Sequence, residues 1–215
     1  MEMELMVVEN CSGKSVNYQI HVGIDYAKVV DLQSKWGAYR ADLLSALITA
    51  NPGMATDNEL ARKILADNSL SDWHWDWCRK LLQCNGDDYQ WFFLQINDAV
   101  QGVCVLYHPK ESRFDNNKIF YVDYIATAYW NRPRPNFTPE YSGVGKELIQ
   151  HTINYACSNW GYRPGFCLHA LPSAEGFYNH LGMTDFGIDH EKENLRFYEA
   201  SQVVASTLGG ISNAA

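Results

Sequence analysis

Ser142-Gly143-Val144-Gly145-Lys146-Glu147-Leu148 follows a proline-rich loop and opens a segment with helical apolar spacing. The first turn of a helix leaves N–H groups without intrahelical partners and carries partial positive charge, so such a start can hold an anion. Gly143 and Gly145 have no Cβ, which lets a phosphate approach the main chain and lets the turn take positive φ. Lys146 adds a formal charge. Spacing then sorts the phosphate cradles. A Walker loop needs glycine at position 140 and Ser or Thr after the lysine, where this chain has Glu140 and Glu147. A dinucleotide fingerprint needs a third glycine where Leu148 stands, and an acid about 20 residues on at the end of a second parallel strand. Neither fits. What remains is a strand, a loop and Gly-x-Gly at a helix start, with Phe177-Tyr178 on a short helix further along.

Other residues stand out against their surroundings. Asp123 interrupts the apolar run Tyr121-Val122-Asp123-Tyr124-Ile125, and an acid there must be paired, solvated or useful. His169 lies near the end of a short apolar run, where an imidazole either relays a proton or is simply a satisfied, half-buried side chain. Trp73-His74-Trp75-Asp76-Trp77 is the most unusual composition, and on a helix Trp73 and Trp77 would share a face and pack between layers. His74 and Asp76 have no third ligand at matching spacing, so no metal site is expected. The chain has no Gly-x-Ser-x-Gly elbow and no cysteine at a motif position, so no covalent enzyme intermediate is implied.

The elements that must carry these residues follow from periodicity. Residues 18–22 alternate as a first strand, and 25–50 have helical spacing with a break near Gly37. Thr56 with Glu59 forms a capping-box signature for a helix to about residue 66, and Ser71 or Asp72 can cap another to about residue 84. From Tyr89 the period becomes strand-like: 90–97 and 101–108 form a hairpin turning at Asn97-Asp98, and 119–127 is a further strand. A helix over 143–160 ends at Gly161, followed by a strand at 166–171, a short helix at 173–181, and strands at 184–187 and 195–199. Strands followed by alternating helix and strand give a mixed α/β sheet in one domain over 1–205. Its helix-rich part is 1–88, its core 89–201, and 206–215 is expected to be a flexible tail.

At this point the chain resembles the GNAT superfamily of acetyl-CoA-dependent N-acyltransferases. The residues that carry the resemblance are Glu140-Tyr141-Ser142-Gly143-Val144-Gly145 with Leu148, and Ala174-Glu175-Gly176-Phe177-Tyr178-Asn179-His180-Leu181-Gly182-Met183, in the family's order over roughly residues 90–200. Two positions depart from the family pattern. Glu140 stands where Arg or Gln is usual, with Arg132 and Arg134 nearby to offset its charge, and Leu171 stands where an Asn often precedes the tyrosine helix.

The resemblance implies a mostly antiparallel sheet whose central strands, 119–127 and 166–171, splay to admit the cofactor. It implies a diphosphate on Ser142, Gly143, Val144, Gly145 and Lys146, with Arg132 and Ser173 nearby, and pantetheine along Ile125, Ala126 and Thr127. Tyr178 would protonate the departing thiolate, although it also reads as an ordinary core tyrosine; Asp123 and His169 are candidates for taking the amine's proton. The helix-rich N-terminal part, with its tryptophans, would roof the acceptor. The partners implied are acetyl-CoA and an amine, either a small molecule or a protein amine, with a homodimer left open.

Composition narrows the classes. A net charge of −8 argues against a general nucleic-acid surface and leans toward cationic acceptors. The six cysteines form no C-x-x-C pair, the first residues are acidic rather than leader-like, and no apolar run approaches the ~20 residues of a membrane span. A cytoplasmic protein is the expectation.

Overall fold

The computed structural model describes residues 6–211. It begins with β1 (Met6–Glu9) and β2 (Lys14–Asn17), followed by β3 (Gln19–Val22), α1 (Tyr26–Ala50), α2 (Asn58–Asp67) and α3 (Trp77–Gln83). The hairpin β4 (Tyr89–Ile96) and β5 (Ala99–Glu111) turns on Asn97 and Asp98, both at positive φ, as a tight two-residue turn requires. Then come β6 (Lys118–Thr127), β7 (Tyr141–Ser142), α4 (Val144–Trp160), β8 (Phe166–Ala170), α5 (Glu175–His180), β9 (Thr184–Asp189), β10 (Leu195–Ala200) and α6 (Gln202–Gly209).

Seven strands form one sheet in the order β3-β4-β5-β6-β8-β10-β9, antiparallel except for β6 and β8. That parallel pair is joined only over Phe120–Val122 against Phe166–Leu168; past it β6 runs on to Thr127 and β8 to Ala170 without pairing to each other. The two strands therefore open a V in the middle of the sheet. A bulge sharpens it, because Leu106 pairs with Val122 and Val105 with Tyr124, so Asp123 is the extra residue on β6.

Helices cover both faces of the sheet. The α4 stripe Val144, Leu148, Ile149, Ile153 and Ala156 buries itself with Phe92, Leu94, Cys104, Leu106, Phe120 and Phe166. On the opposite face Val29, Leu32 and Trp36 of α1 and Trp77 and Leu81 of α3 pack on Trp91, Phe93, Val103 and Val105. Because β4 and β5 are covered on both sides, they read as nearly continuous apolar runs rather than alternating ones. Gly102 fixes how closely α4 approaches: a Cβ there would stand 2.7 Å from Leu148 Cδ1 and 2.8 Å from Val144 Cγ1. Gly102→Ala is expected to cost about 1–3 kcal/mol by overpacking the start of α4, read as a lower midpoint in urea unfolding.

Several expectations need correction. α1 runs unbroken through Gly37, with Val29, Leu32 and Trp36 buried before that residue and Tyr39, Leu43, Leu44 and Leu47 half-buried against the same core after it. The cap of α2 is Asp57, whose side chain accepts from the Glu59 and Leu60 amides, rather than Thr56. Residues 71–76 do not form a helix; α3 starts later, capped by Asp76, so Trp73 and Trp77 do not share a helical face. The expected tail is ordered through α6, capped by Ser201, with Ala205, Ser206 and Gly209 buried; residues 212–215 lie outside the described range. The sequence reading missed β1, β2 and β7, which form a separate three-stranded sheet. Among the described residues no helix is long and apolar enough to cross a membrane.

Candidate active site

The V between β6 and β8 holds two cavities that share a wall. The first, about 530 Å³, is bounded by Ile125, Ala126 and Thr127 of β6, by Ser142–Lys146 at the start of α4, and by Ser173, Phe177 and Tyr178. The second, about 850 Å³, lies against Asp123, Tyr121 and His169, with His74, Trp75, Asp76 and Lys80 on the opposite side. Trp75, Ile125, Leu171, Ala174 and Tyr178 line both. The structure thus brings together every residue expected to hold the cofactor around the smaller cavity, and Tyr178, Asp123 and His169 around the larger.

Local geometry suits the smaller cavity to an anion. Gly143 caps α4 in the left-handed region (φ 89°) and supplies no side chain to its first amides. The first intrahelical bond here is Glu147 N–H to the Gly143 carbonyl at 3.0 Å, so the amides of Val144, Gly145 and Lys146 come before the ladder begins. A Cβ on Gly145 would meet only Thr127 Cγ2, at 3.8 Å, so the space above the helix mouth is open.

A polar network pins the loop that leads there. Asn131 is buried, donates to Gln101 Oε1 at 2.9 Å and accepts from the Tyr141 amide at 3.1 Å. The exposed Glu140 is tied in by its backbone, donating to the Trp130 carbonyl and accepting from Asn10.

Arg132 is already engaged by the protein. Its guanidinium grips both oxygens of Asp72, at 2.5 and 2.9 Å, and also donates to the Ser69 and Thr127 carbonyls. With four of its five N–H donors committed, Arg132 borders the cavity as a brace between the 69–72 loop and β6, with one Nη2 hydrogen left over. Lys146 is exposed at the helix start.

Tyr178 is buried, and burial first, then the neighbouring Cys104 thiol, drives its phenol well above the ordinary value. It therefore stays protonated at any working pH and is available as a hydrogen-bond donor.

The larger cavity is charged on several sides. Burial raises the Asp123 carboxyl, while a Cys84 Sγ–H bond at 3.6 Å and the charges of Lys192 and Lys80 oppose the rise. Burial pushes the Lys80 ammonium down to about 8 against the pull of Asp123; it stands 3.3 Å from the Tyr124 ring centroid and 4.3 Å from that of Trp75. Lys80 had no assigned place in the sequence reading, whereas Trp75 belongs to the segment expected to roof the acceptor. Only that segment pointed toward Lys80.

A strand pair that splays around a cleft and a glycine-started helix at its mouth are features that the resemblance implied. The fold is GNAT-like. Solved structures with which it aligns include a putative GNAT-family acetyltransferase from Desulfovibrio desulfuricans (10% identity over 86% of this chain and 99% of that one, TM-score 0.48). They also include the N-acetyltransferase PseH of Campylobacter jejuni (14% identity, 86% and 98%, TM-score 0.42). A third is a mutant of the toxin AtaT bound to the C-terminus of its antitoxin AtaR and acetyl-CoA (20% identity, 60% and 77%, TM-score 0.42). No family model and no curated protein matches the sequence. On this GNAT-like scaffold the cavity pair is the place where chemistry can be argued from the residues themselves.

Proposed function

We propose that this protein is an N-acetyltransferase that moves the acetyl group of acetyl-CoA onto a primary amine by direct attack in a ternary complex. The observation that supports the reading best is the shared wall: an anion-suited cavity and a charged cavity meet at Tyr178 and Ile125. The amides of Val144, Gly145 and Lys146 would hold the diphosphate, and the β6 edge at Ile125–Thr127 would run beside the pantetheine. Acetyl-CoA supplies an activated acyl group; the protein supplies proximity, a donor for the leaving sulfur and an acceptor for the amine's proton.

The acceptor would enter the larger cavity, where Asp76, Asp123, Glu191 and Glu193 face Arg79, Lys80 and Lys192. A cytoplasmic location, where acetyl-CoA and reduced thiols coexist, goes with this reading. Calorimetry with acetyl-CoA, followed by a thiol-release assay over a panel of amines and pH values, tests it. Binding together with amine-dependent CoA release is expected. Binding without release at any pH would leave a catalytically silent acyl-CoA-binding module of the same fold, and absence of binding would remove both.

A further inference from the structure

His169 has no ring nitrogen left for a substrate. Its Nδ1 lies 2.8 Å from Tyr121 Oη and its Nε2 lies 3.1 Å from Asp189 Oδ2. An ionised carboxylate only accepts, so Nε2 carries the proton and Nδ1 accepts from the Tyr121 hydroxyl. A proton can therefore pass from the acceptor cavity to this imidazole only through Tyr121, which lines that cavity. The His169 side chain is 7% exposed and crosses over Phe197 of β10, whose ring centroid is 5.1 Å away, while the Asp189 side chain on the edge strand β9 is 27% exposed.

We propose that Tyr121, His169 and Asp189 take up the amine's proton during acyl transfer, an inference that rests on the functional reading above. As the amine nitrogen bonds to the acyl carbon and the C–S bond breaks, the sulfur keeps the bonding pair and takes a proton from Tyr178. The proton shed by the nitrogen goes to Tyr121 Oη, and the hydroxyl's own proton goes to His169 Nδ1. Asp189 stabilises the imidazolium, and once the product has left, the ring returns its Nδ1 proton through Tyr121 to the water that refills the cavity, which restores the Nε2–H tautomer for the next turnover. Tyr178 regains one from water, so protons balance over the cycle.

The surroundings favour a neutral imidazole that can accept. Burial lowers the His169 pKa most, Lys192 and Arg113 lower it further, and only Asp189 opposes them. Burial raises the Tyr121 phenol, with Asp123 adding to the rise, so Tyr121 acts as a neutral conduit that accepts and donates in one event. In this assignment Tyr121 is the catalytic residue, and His169 and Asp189 position it and draw its proton.

In the thiol-release assay with the full chain, Tyr121→Phe should lower kcat about 10- to 100-fold with the KM for acetyl-CoA unchanged. Activity should fall as pH drops through the His169 pKa, because the protonated ring no longer accepts. Asp189→Asn removes the charge that favours imidazolium, so this acidic limb should move to lower pH; a merely structural contact would leave it in place. Proton–nitrogen NMR reads the ring without turnover, and the wild type should show a neutral Nε2–H tautomer at pH 7. Full activity in Tyr121→Phe, an unmoved limb in Asp189→Asn, or an Nδ1–H or charged ring in the NMR spectrum would overturn the relay while leaving the transferase intact. A wild type that releases no CoA with any amine would remove both readings.

Discussion

Gly145→Val is expected to weaken acetyl-CoA binding about 100-fold or more in calorimetry while the protein stays folded. The residue sits in the first turn of α4, where a Cβ meets nothing closer than 3.8 Å, so the first carbon of a side chain is accommodated and would project into the cavity proposed for the diphosphate. Val also raises helix propensity relative to Gly, so thermal unfolding should be unchanged or slightly later. At least two charge-assisted amide bonds are lost, roughly 1.5–3 kcal/mol each, which corresponds to about a 100-fold weaker Kd or more. Retained affinity with an intact fold would move the diphosphate away from this helix mouth.

Tyr178→Phe is expected to lower kcat by about 10²–10⁴-fold while acetyl-CoA affinity stays close to wild type, as the loss of a general acid should. Phe keeps the ring's packing against Phe177 and Tyr198, with centroids 5.3 and 5.9 Å away, and removes only a hydroxyl that sits in a buried setting. Because burial and Cys104 hold the phenol above its ordinary pKa, it serves the departing thiolate first as a hydrogen-bond donor, and complete transfer is harder the higher that pKa lies. Full transfer then needs the negative charge on sulfur to develop in a cavity that water has left. Parallel losses of kcat and acetyl-CoA affinity would instead mark Tyr178 as a packing residue.

Much of this arrangement was legible from local signals. The Asn97-Asp98 turn set the first β4–β5 pairs, Ile96 with Ala99 and Gln95 with Val100, but the bulge at Gln101 that shifts every later pair by one residue could not be read from it. Gly143 and Gly161 bracketed α4, and both proved to be left-handed caps. Asp123 was conspicuous as an acid in an apolar strand, yet its being the bulge residue could not be read, since a bulge is defined by the partner strand. The tryptophan segment misled for a similar reason. Its composition suggested a helix face, but the Arg132–Asp72 ion pair and the Arg40 bond to the Trp75 carbonyl hold it as turns.

The sequence alone determined the glycine-opened helix, the strand before it and the tyrosine helix after it, because caps, turns and periodicity act over a few neighbouring residues. Tertiary structure alone decided that Arg132 is tied to Asp72, that Lys80 faces Trp75 and Tyr124, and that His169 is linked to Tyr121 and Asp189. Those partners lie up to 60 residues apart in the chain, as Arg132 and Asp72 do. What joins them is the packing of separate elements around one splayed strand pair, and no local pattern encodes that.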